Sequence, residues 1–397
     1  MEAMLKKIRI KNFLSIADST VELSDFTILV GPNASGKSNF LDALRFISDC
    51  LNTSIYKAFK KRGGLKAVRR ISMGHPRNIQ FELEFVPRKG NAAYYGFEIA
   101  SDPKGAFTVK KEECKIAPFF KIPDFPTEFT FENGKSKNPI MGREFIIEKD
   151  SLALYVLKIF PTFRPLYDFL TSMGFYSIAP SKLRELQEPD VERRLLSDGS
   201  NAAEILDAIK KESPPNYSRI CEYLEKIVPG IKSVSPKVVG DKETLEFGQD
   251  VGDKYPWHFA ALNMSDGTLR VVGILIAIFQ EPPLPLVAIE EPEATIHPAA
   301  IGVLLDILKS GRKRSQIVIT THSPDILDNK LILPEDIRIV SSGRGETRIS
   351  PLGGISLEAV RNNLYSFGEL MRMDELRPDI KRTEQLQITR SPGKEGS

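Results

Sequence analysis

Residues Gly31-Pro32-Asn33-Ala34-Ser35-Gly36-Lys37-Ser38 set two glycines around a four-residue spacer and follow the second with a lysine and a hydroxyl side chain. This is the pattern of a phosphate-cradling loop. Glycines at those positions let successive backbone N–H groups curl around an anion, and the following helix adds the positive end of its dipole. In such a loop Lys37 reaches the β and γ phosphates and the Ser38 hydroxyl sits on Mg²⁺. An ordinary glycine-rich turn is the competing reading. The flanks argue against it: the apolar run Phe26 to Val30 stops at Gly31, and Leu41, Leu44, Phe46 and Ile47 continue a helix to about Leu51.

Two later strand ends carry further chemistry. Leu284 to Ile289 is an apolar run that ends in Glu290-Glu291-Pro292-Glu293. A fully apolar strand suits the middle of a parallel sheet, whose carboxyl end is where α/β folds place ligands. One carboxylate there holds Mg²⁺ through its water shell while its neighbour polarises an attacking water. Acidic turns after strands are common, so this signal gains from its company. Gln316 to Thr321 delivers His322-Ser323. A lone histidine at a strand end is more often structural, but following the acidic strand it is placed to donate to a γ-phosphate or to the water. Ser265-Asp266-Gly267-Thr268 precedes an apolar helix, Leu269 to Phe279, and by itself reads as a cap and turn.

The elements that must position these groups are legible in outline. Strands are expected at 5–13, 20–23 and 26–30, then as alternating antiparallel strands at 79–86, 94–99 and 106–110. Residues 51–81 hold no acid but include Lys57, Lys60, Lys61, Arg62, Lys66, Arg69, Arg70 and Arg77. That run would lie on a phosphate backbone or form a solvated basic face, and the two readings balance. From 115 to 235 the chain turns rich in Pro and Phe and then helical. Ala202, Ile205, Leu206 and Ile209 make one stripe after Ser200 or Asn201, and Tyr217, Ile220, Leu224, Ile227 and Val228 make another before Pro229-Gly230. No heptad persists, which excludes a long coiled-coil arm. A hairpin is expected at 337–340 and 347–349, a helix at about 357–371, and a disordered tail from about Lys381.

Composition sets bounds. The 397 residues are 41% hydrophobic, enough for one large core or two modest ones. A net charge of +3 requires any nucleic-acid surface to be a local patch. Cys50, Cys114 and Cys221 are odd in number and unpaired in spacing, as expected of reduced thiols in a cytoplasmic protein. Met1 to Lys11 lacks a signal-peptide core, and Val271 to Phe279 is too short to span a bilayer, so no membrane role is expected.

Taken together, Gly31 to Ser38, Ser265-Asp266-Gly267, Ile289 to Glu293 with His297-Pro298, and Thr320 to Pro324 resemble the solitary ABC-type ATPases of the RecF, SMC and OLD group. The nearest branch is the AAA-family predicted ATP-binding proteins, to which Ile10 to Phe13 and Phe367 to Leu370 are also similar. The resemblance implies an α/β fold, an ABC-ATPase head of P-loop NTPase type. Its parts would be a mixed, largely parallel core sheet, an antiparallel β subdomain and an inserted, mainly helical subdomain. The implied division is 1–114 for the first lobe, 115–235 for the insertion, 236–380 for the second lobe and 381–397 for the tail.

Carried over by position, the resemblance implies that Gly31, Asn33, Gly36, Lys37 and Ser38 bind ATP with Mg²⁺, alongside Pro32, Ala34, Ser35 and Asn39. Ser38 and Glu290 take the metal side, Glu291 is the catalytic base and His322 the switch histidine. Ser265 and Gly267 correspond to the signature that touches the γ-phosphate held by a second copy, so two heads would sandwich two nucleotides. Two positions depart from the pattern: Glu290 stands where many ABC proteins carry Asp, and Met-Ser-Asp-Gly-Thr replaces Ser-Gly-Gly-Gln. Gln80 is the candidate for the Q-loop. The OLD branch attaches a TOPRIM nuclease, which needs clustered carboxylates. This chain has no Asp-x-Asp, so the nuclease would be a separate partner. The resemblance thus implies an ATPase that senses nucleic acid or a foreign component and controls such an effector in anti-phage defence. The alternative is a RecF-like DNA repair or replication clamp. A transporter ATPase subunit is disfavoured, because it needs a membrane partner of which the sequence shows no sign.

Overall fold

The computed structural model describes residues 2–71, 78–89, 92–101, 106–117, 125–189, 193–386, 388 and 390. Arg77 of the basic run therefore lies outside the described residues, as do 387, 389 and 391–397 of the expected tail.

Five neighbouring strands form the parallel core: Gly174–Tyr176, Leu286–Glu290, Gln316–Thr321, Phe26–Val30 and Ile337–Gly343. Every residue of Phe26–Val30 and Gln316–Thr321 is buried. Both faces of this core are covered, which is why its strands read as continuous apolar runs. Leu29 faces the apolar cluster around helix Lys37–Asn52, whereas Phe26, Ile28 and Val30 face the cluster built on helix Asp266–Phe279.

Beyond Ile337–Gly343 the same sheet becomes an antiparallel arm. The hairpin strand Glu346–Pro351 meets Ile16–Glu22 in parallel through Thr347 opposite Ile16, and the antiparallel arm continues from there through Glu2–Phe13, Ile79–Lys89, Ala92–Ser101, Phe107–Ala117, Glu128–Glu132 and Lys135–Ser136. Phe46 of the helix packs on this arm, with ring centroids 5.4 Å from Phe13 and 5.7 Å from Phe81. Gln316 is a buried polar stitch between core and arm. Its amide accepts from Leu5 N and donates to the carbonyls of Leu5 and Ser24 at 2.9–3.0 Å, so none of its groups loses hydration without replacement.

Residues 115–235, expected as one inserted helical unit, contribute strands to both ends of the sheet. Glu128–Glu132 extends the arm because Phe129 and Phe131 turn the same way and are buried. Gly174–Tyr176 is the edge of the parallel core. Helices Ala202–Glu212 and Pro214–Ile227 bury the predicted stripes. They stand beside a separate three-stranded sheet, Ile231–Val239, Lys242–Gln249 and Trp257–Ala260.

Two expectations near the C-terminus are corrected. The single helix at 357–371 is two, Gly354–Arg361 and Phe367–Arg372, broken at Asn363 with φ 53° and restarted by a Ser366/Glu369 capping box. The tail expected to be disordered from Lys381 forms helix Ile380–Gln385, whose start Asp379 caps by accepting from Arg382 N at 3.0 Å. Arg390 beyond it pairs with the buried Glu82. Local polarity concealed both, since a polar helix is held by its neighbours rather than by its own apolar face. No helix among the described residues is long and apolar enough to cross a membrane.

Candidate functional site

The carboxyl ends of Phe26–Val30, Leu286–Glu290 and Gln316–Thr321 lie side by side, because these strands pair in parallel with Val30 opposite Thr321 and Thr320 opposite Glu290. That register brings the three motifs together. Lys37 opens the helix, and its Nζ donates back across the loop to the carbonyls of Gly31 at 2.8 Å and Pro32 at 3.0 Å. Burial lowers the pKa of this ammonium, against the opposing pull of Glu291, Glu293 and Glu290. Ser38 Oγ donates to Glu290 Oε2 at 2.7 Å. The longer glutamate at this position thus reaches the serine hydroxyl directly.

Glu291 sits one residue past the strand in the left-handed region, φ 44°, and its N–H donates to Thr320 O at 3.1 Å and Thr320 Oγ1 at 3.2 Å. A non-glycine residue held there is strained, as residues at functional sites often are. The turn aims Glu291 at the neighbouring strand end, where its Oε1 lies 3.0 Å from His322 Nδ1. Glu293 turns inward instead: it is 8% exposed and accepts from Thr321 Oγ1 at 2.5 Å, and burial raises its pKa.

The loop glycines are required by the protein as much as by any ligand. A Cβ on Gly31 would stand 2.1 Å from the Val340 carbonyl oxygen; on Gly36, at φ +105°, it would stand 2.0 Å from Thr347 Oγ1. Thr347 donates to Ser35 O at 2.9 Å and bonds Ser15, whose hydroxyl accepts from Asn39 Nδ2 at 2.6 Å. Asn39 therefore braces the loop from beneath. Pro32, Asn33 and Ala34 are exposed at its rim, while the buried Ser35 Oγ has no hydrogen-bond partner.

A loop of N–H groups with a central ammonium suits a polyphosphate. Among the described residues no group of three or more His, Cys, Asp or Glu could hold a metal ion by itself. Ser38 and Glu290 fit Mg²⁺ on a nucleotide, which takes one or two protein oxygens and completes its shell with phosphate and water.

A family comparison matches residues 26–328 to the family described as "AAA domain, putative AbiEii toxin, Type IV TA system". The chain belongs to this family. The matched span of this AAA-domain protein runs from the first core strand past His322, and leaves out Ser15, Val340 and Thr347 against the loop. No curated protein matches it. Among solved structures it is similar to an SMC head bound to the C-winged helix domain of ScpA, at 17% identity and TM-score 0.54, covering 89% of this chain and 99% of that one. It is also similar to an SMC head domain with an extended coiled coil bound to the C-terminal domain of ScpA, derived from Pyrococcus furiosus. There the identity is 15% and the TM-score 0.52, over 91% of this chain and 99% of the other. At such identities the likeness is one of fold, the mixed α/β fold of SMC heads.

Ser265 stands apart from the loop. It is exposed, caps helix Asp266–Phe279 by accepting from Thr268 N at 3.2 Å, and among the described residues makes no hydrogen bond with 31–38. Gly267 is pressed against the Thr295 carbonyl, where a Cβ would lie at 2.5 Å. Gln80 lines a hollow on the arm with Glu82, Tyr94, Glu98 and Lys111, and no loop residue shares that lining. No sequence motif pointed to Thr347 or to Arg184, which donates to Met264 O at 3.1 Å and pairs with Asp266. The basic run divides: Arg62 pairs with Asp42 and Asp49, Lys61 also pairs with Asp49, Arg69 bonds Ser101 and Arg70 pairs with Glu346, leaving Lys57, Lys60 and Lys66 exposed.

Proposed function

We propose that this AAA-domain protein binds and hydrolyses ATP, and that two copies close on two nucleotides to do so. The observation that carries this reading is the convergence of Lys37, Ser38, Glu290, Glu291 and His322 on three adjacent parallel strand ends. Lys37 and the loop N–H groups hold the phosphates. Ser38 and Glu290 would hold Mg²⁺, which when bound would supply charge neutralisation at the phosphates. Glu291 accepts a proton from the attacking water, and His322, within hydrogen-bond distance of it, orients that carboxylate. Ser265, exposed at a helix start, is free to meet a nucleotide held by the second copy. Solution mass of Glu291→Gln with and without ATP tests this: a dimer that accumulates only with ATP supports it, and a mass unmoved by ATP together with unimpaired hydrolysis refutes it.

A wider role in defence is supported by the family description, which names an AbiEii toxin and a Type IV TA system. In this reading the ATPase senses nucleic acid or a foreign component and controls a separately encoded effector, a TOPRIM-like nuclease, in defence against phage. Loss of phage resistance on deleting the gene with its neighbour is the expected result. A RecF-like DNA clamp is the second reading, and the exposed Lys57, Lys60 and Lys66 favour it. Their reversal to Glu would then abolish salt-dependent duplex binding.

A further inference from the structure

Two buried polar atoms of opposite charge beside the acidic turn have no hydrogen-bond partner: Arg270 Nε and Glu293 Oε2. Arg270 stands on the helix that Ser265 caps. Glu293 belongs to the turn that carries Glu291. The two elements meet at Gly267, whose tight approach to Thr295 O lays the first turn of the helix directly against residues 291–296. Arg270 lies in the field of Glu291 first, then Glu293 and Asp266, and burial lowers its pKa against their pull. Among the described residues it makes no hydrogen bond or ion pair with any of them.

A guanidinium nitrogen and a carboxylate oxygen left unpaired in a low-dielectric interior each cost free energy, so their coexistence calls for a state that satisfies both. Glu293 is fixed from behind by Thr321 and the first turn of the helix already packs on Thr295, which leaves the Arg270 side chain as the part that moves. A change of its rotamer would bring the guanidinium onto the carboxylates of the 291–293 turn. The exposed start of its helix is Ser265.

We propose that Arg270 is a positioning residue that carries contacts made at Ser265 to Glu291. When a second copy presses on the helix start, Arg270 closes on the 291–293 turn and fixes the Glu291 carboxylate for water activation. This rests on the reading of Glu291 given above. Communication of this kind makes hydrolysis depend on the twin copy without altering how the first copy holds its nucleotide.

The test uses the full chain and measures ATP turnover, KM, affinity for a fluorescent ATP analogue and melting temperature. Arg270→Ala lowers kcat about tenfold or more while KM and affinity stay within about threefold, and Arg270→Lys restores part of the loss. The double variant Ser265→Ala/Arg270→Ala loses no more than the worse single variant, because both act along one path. Turnover unchanged in Arg270→Ala, turnover and affinity falling in step, or fully additive losses would each overturn the proposal. If the alanine variant does not fold, Arg270→Lys and Arg270→Gln carry the same comparison. Glu291→Gln separates the two levels: if it too keeps hydrolysis, the reading of the acidic turn fails, whereas its inactivity beside a fully active Arg270→Ala removes the coupling alone.

Discussion

His322 Nδ1 lies 3.0 Å from Glu291 Oε1, across 31 residues of chain. The contact exists because Leu286–Glu290 and Gln316–Thr321 run parallel with Glu290 opposite Thr320, so Glu291 and His322 emerge at neighbouring strand ends within one residue of the same height. Each of the two motifs is commonplace alone. Together they place a titratable ring on the carboxylate that the proposed reaction uses.

Replacing His322 with Ala therefore removes an orienting partner and leaves the phosphate loop untouched. Turnover is expected to fall about 10- to 100-fold with nucleotide affinity nearly unchanged, as steady-state kinetics beside a binding titration would show. Loss of affinity equal to the loss of turnover would contradict this role.

Lys37→Ala acts on binding instead. Its ammonium is held among the loop carbonyls at the centre of the proposed phosphate cradle, so affinity for ATP should fall by at least about 2 kcal/mol, some 30-fold, by calorimetry.

Gly36→Ala tests the brace under the loop. At φ +105°, with Thr347 Oγ1 2.0 Å from the new methyl, the substitution costs about 1–3 kcal/mol of stability and disrupts the cradle. A lowered melting temperature with loss of ATP binding is expected. Trimming Thr347 to Ala in the same chain should recover part of the stability by relieving the clash.

Glu112 predicts a pH dependence far from the site. It is fully buried in the arm, accepting from the N–H groups of Ala153 and Leu154 and from Tyr95 OH, and burial pushes its pKa from 4.5 up to about 7. Between these values the folded chain keeps a proton that the unfolded chain releases. Stability therefore falls as pH rises from about 4.5 to about 7, by at most about 3 kcal/mol, and stays lower above. Glu112→Gln should flatten this part of the denaturant-midpoint profile; an unchanged slope would rule Glu112 out as its source.

The nucleotide loop, the acidic strand end and the histidine were legible because each is a short run whose chemistry and flanking periodicity agree. Gly174–Tyr176 was not: three residues among Pro and Phe carry no period, and only pairing with Val287 to Ile289 makes them a strand. Gln80 fits a strand by alternation, yet which face it takes depends on the register with Lys11 and Glu98, and that face lies away from the loop. The basic run 57–70 looked uniform until folding set Asp42 and Asp49 beside Arg62.

The sequence by itself determined which residues have the side chains for this chemistry and on what kind of element each sits, since local composition shapes strand, loop and helix and the side chain sets reactivity. Tertiary structure alone decided which of them meet. Parallel pairing set Val30 level with Thr321 and Glu290 level with Thr320, the 346–351 hairpin strand supplied Thr347 beneath the loop, and packing of Gly267 on Thr295 brought Arg270 near Glu291. Those are contacts between segments tens to hundreds of residues apart, and they arise from burying a shared core, to which no short stretch of sequence points.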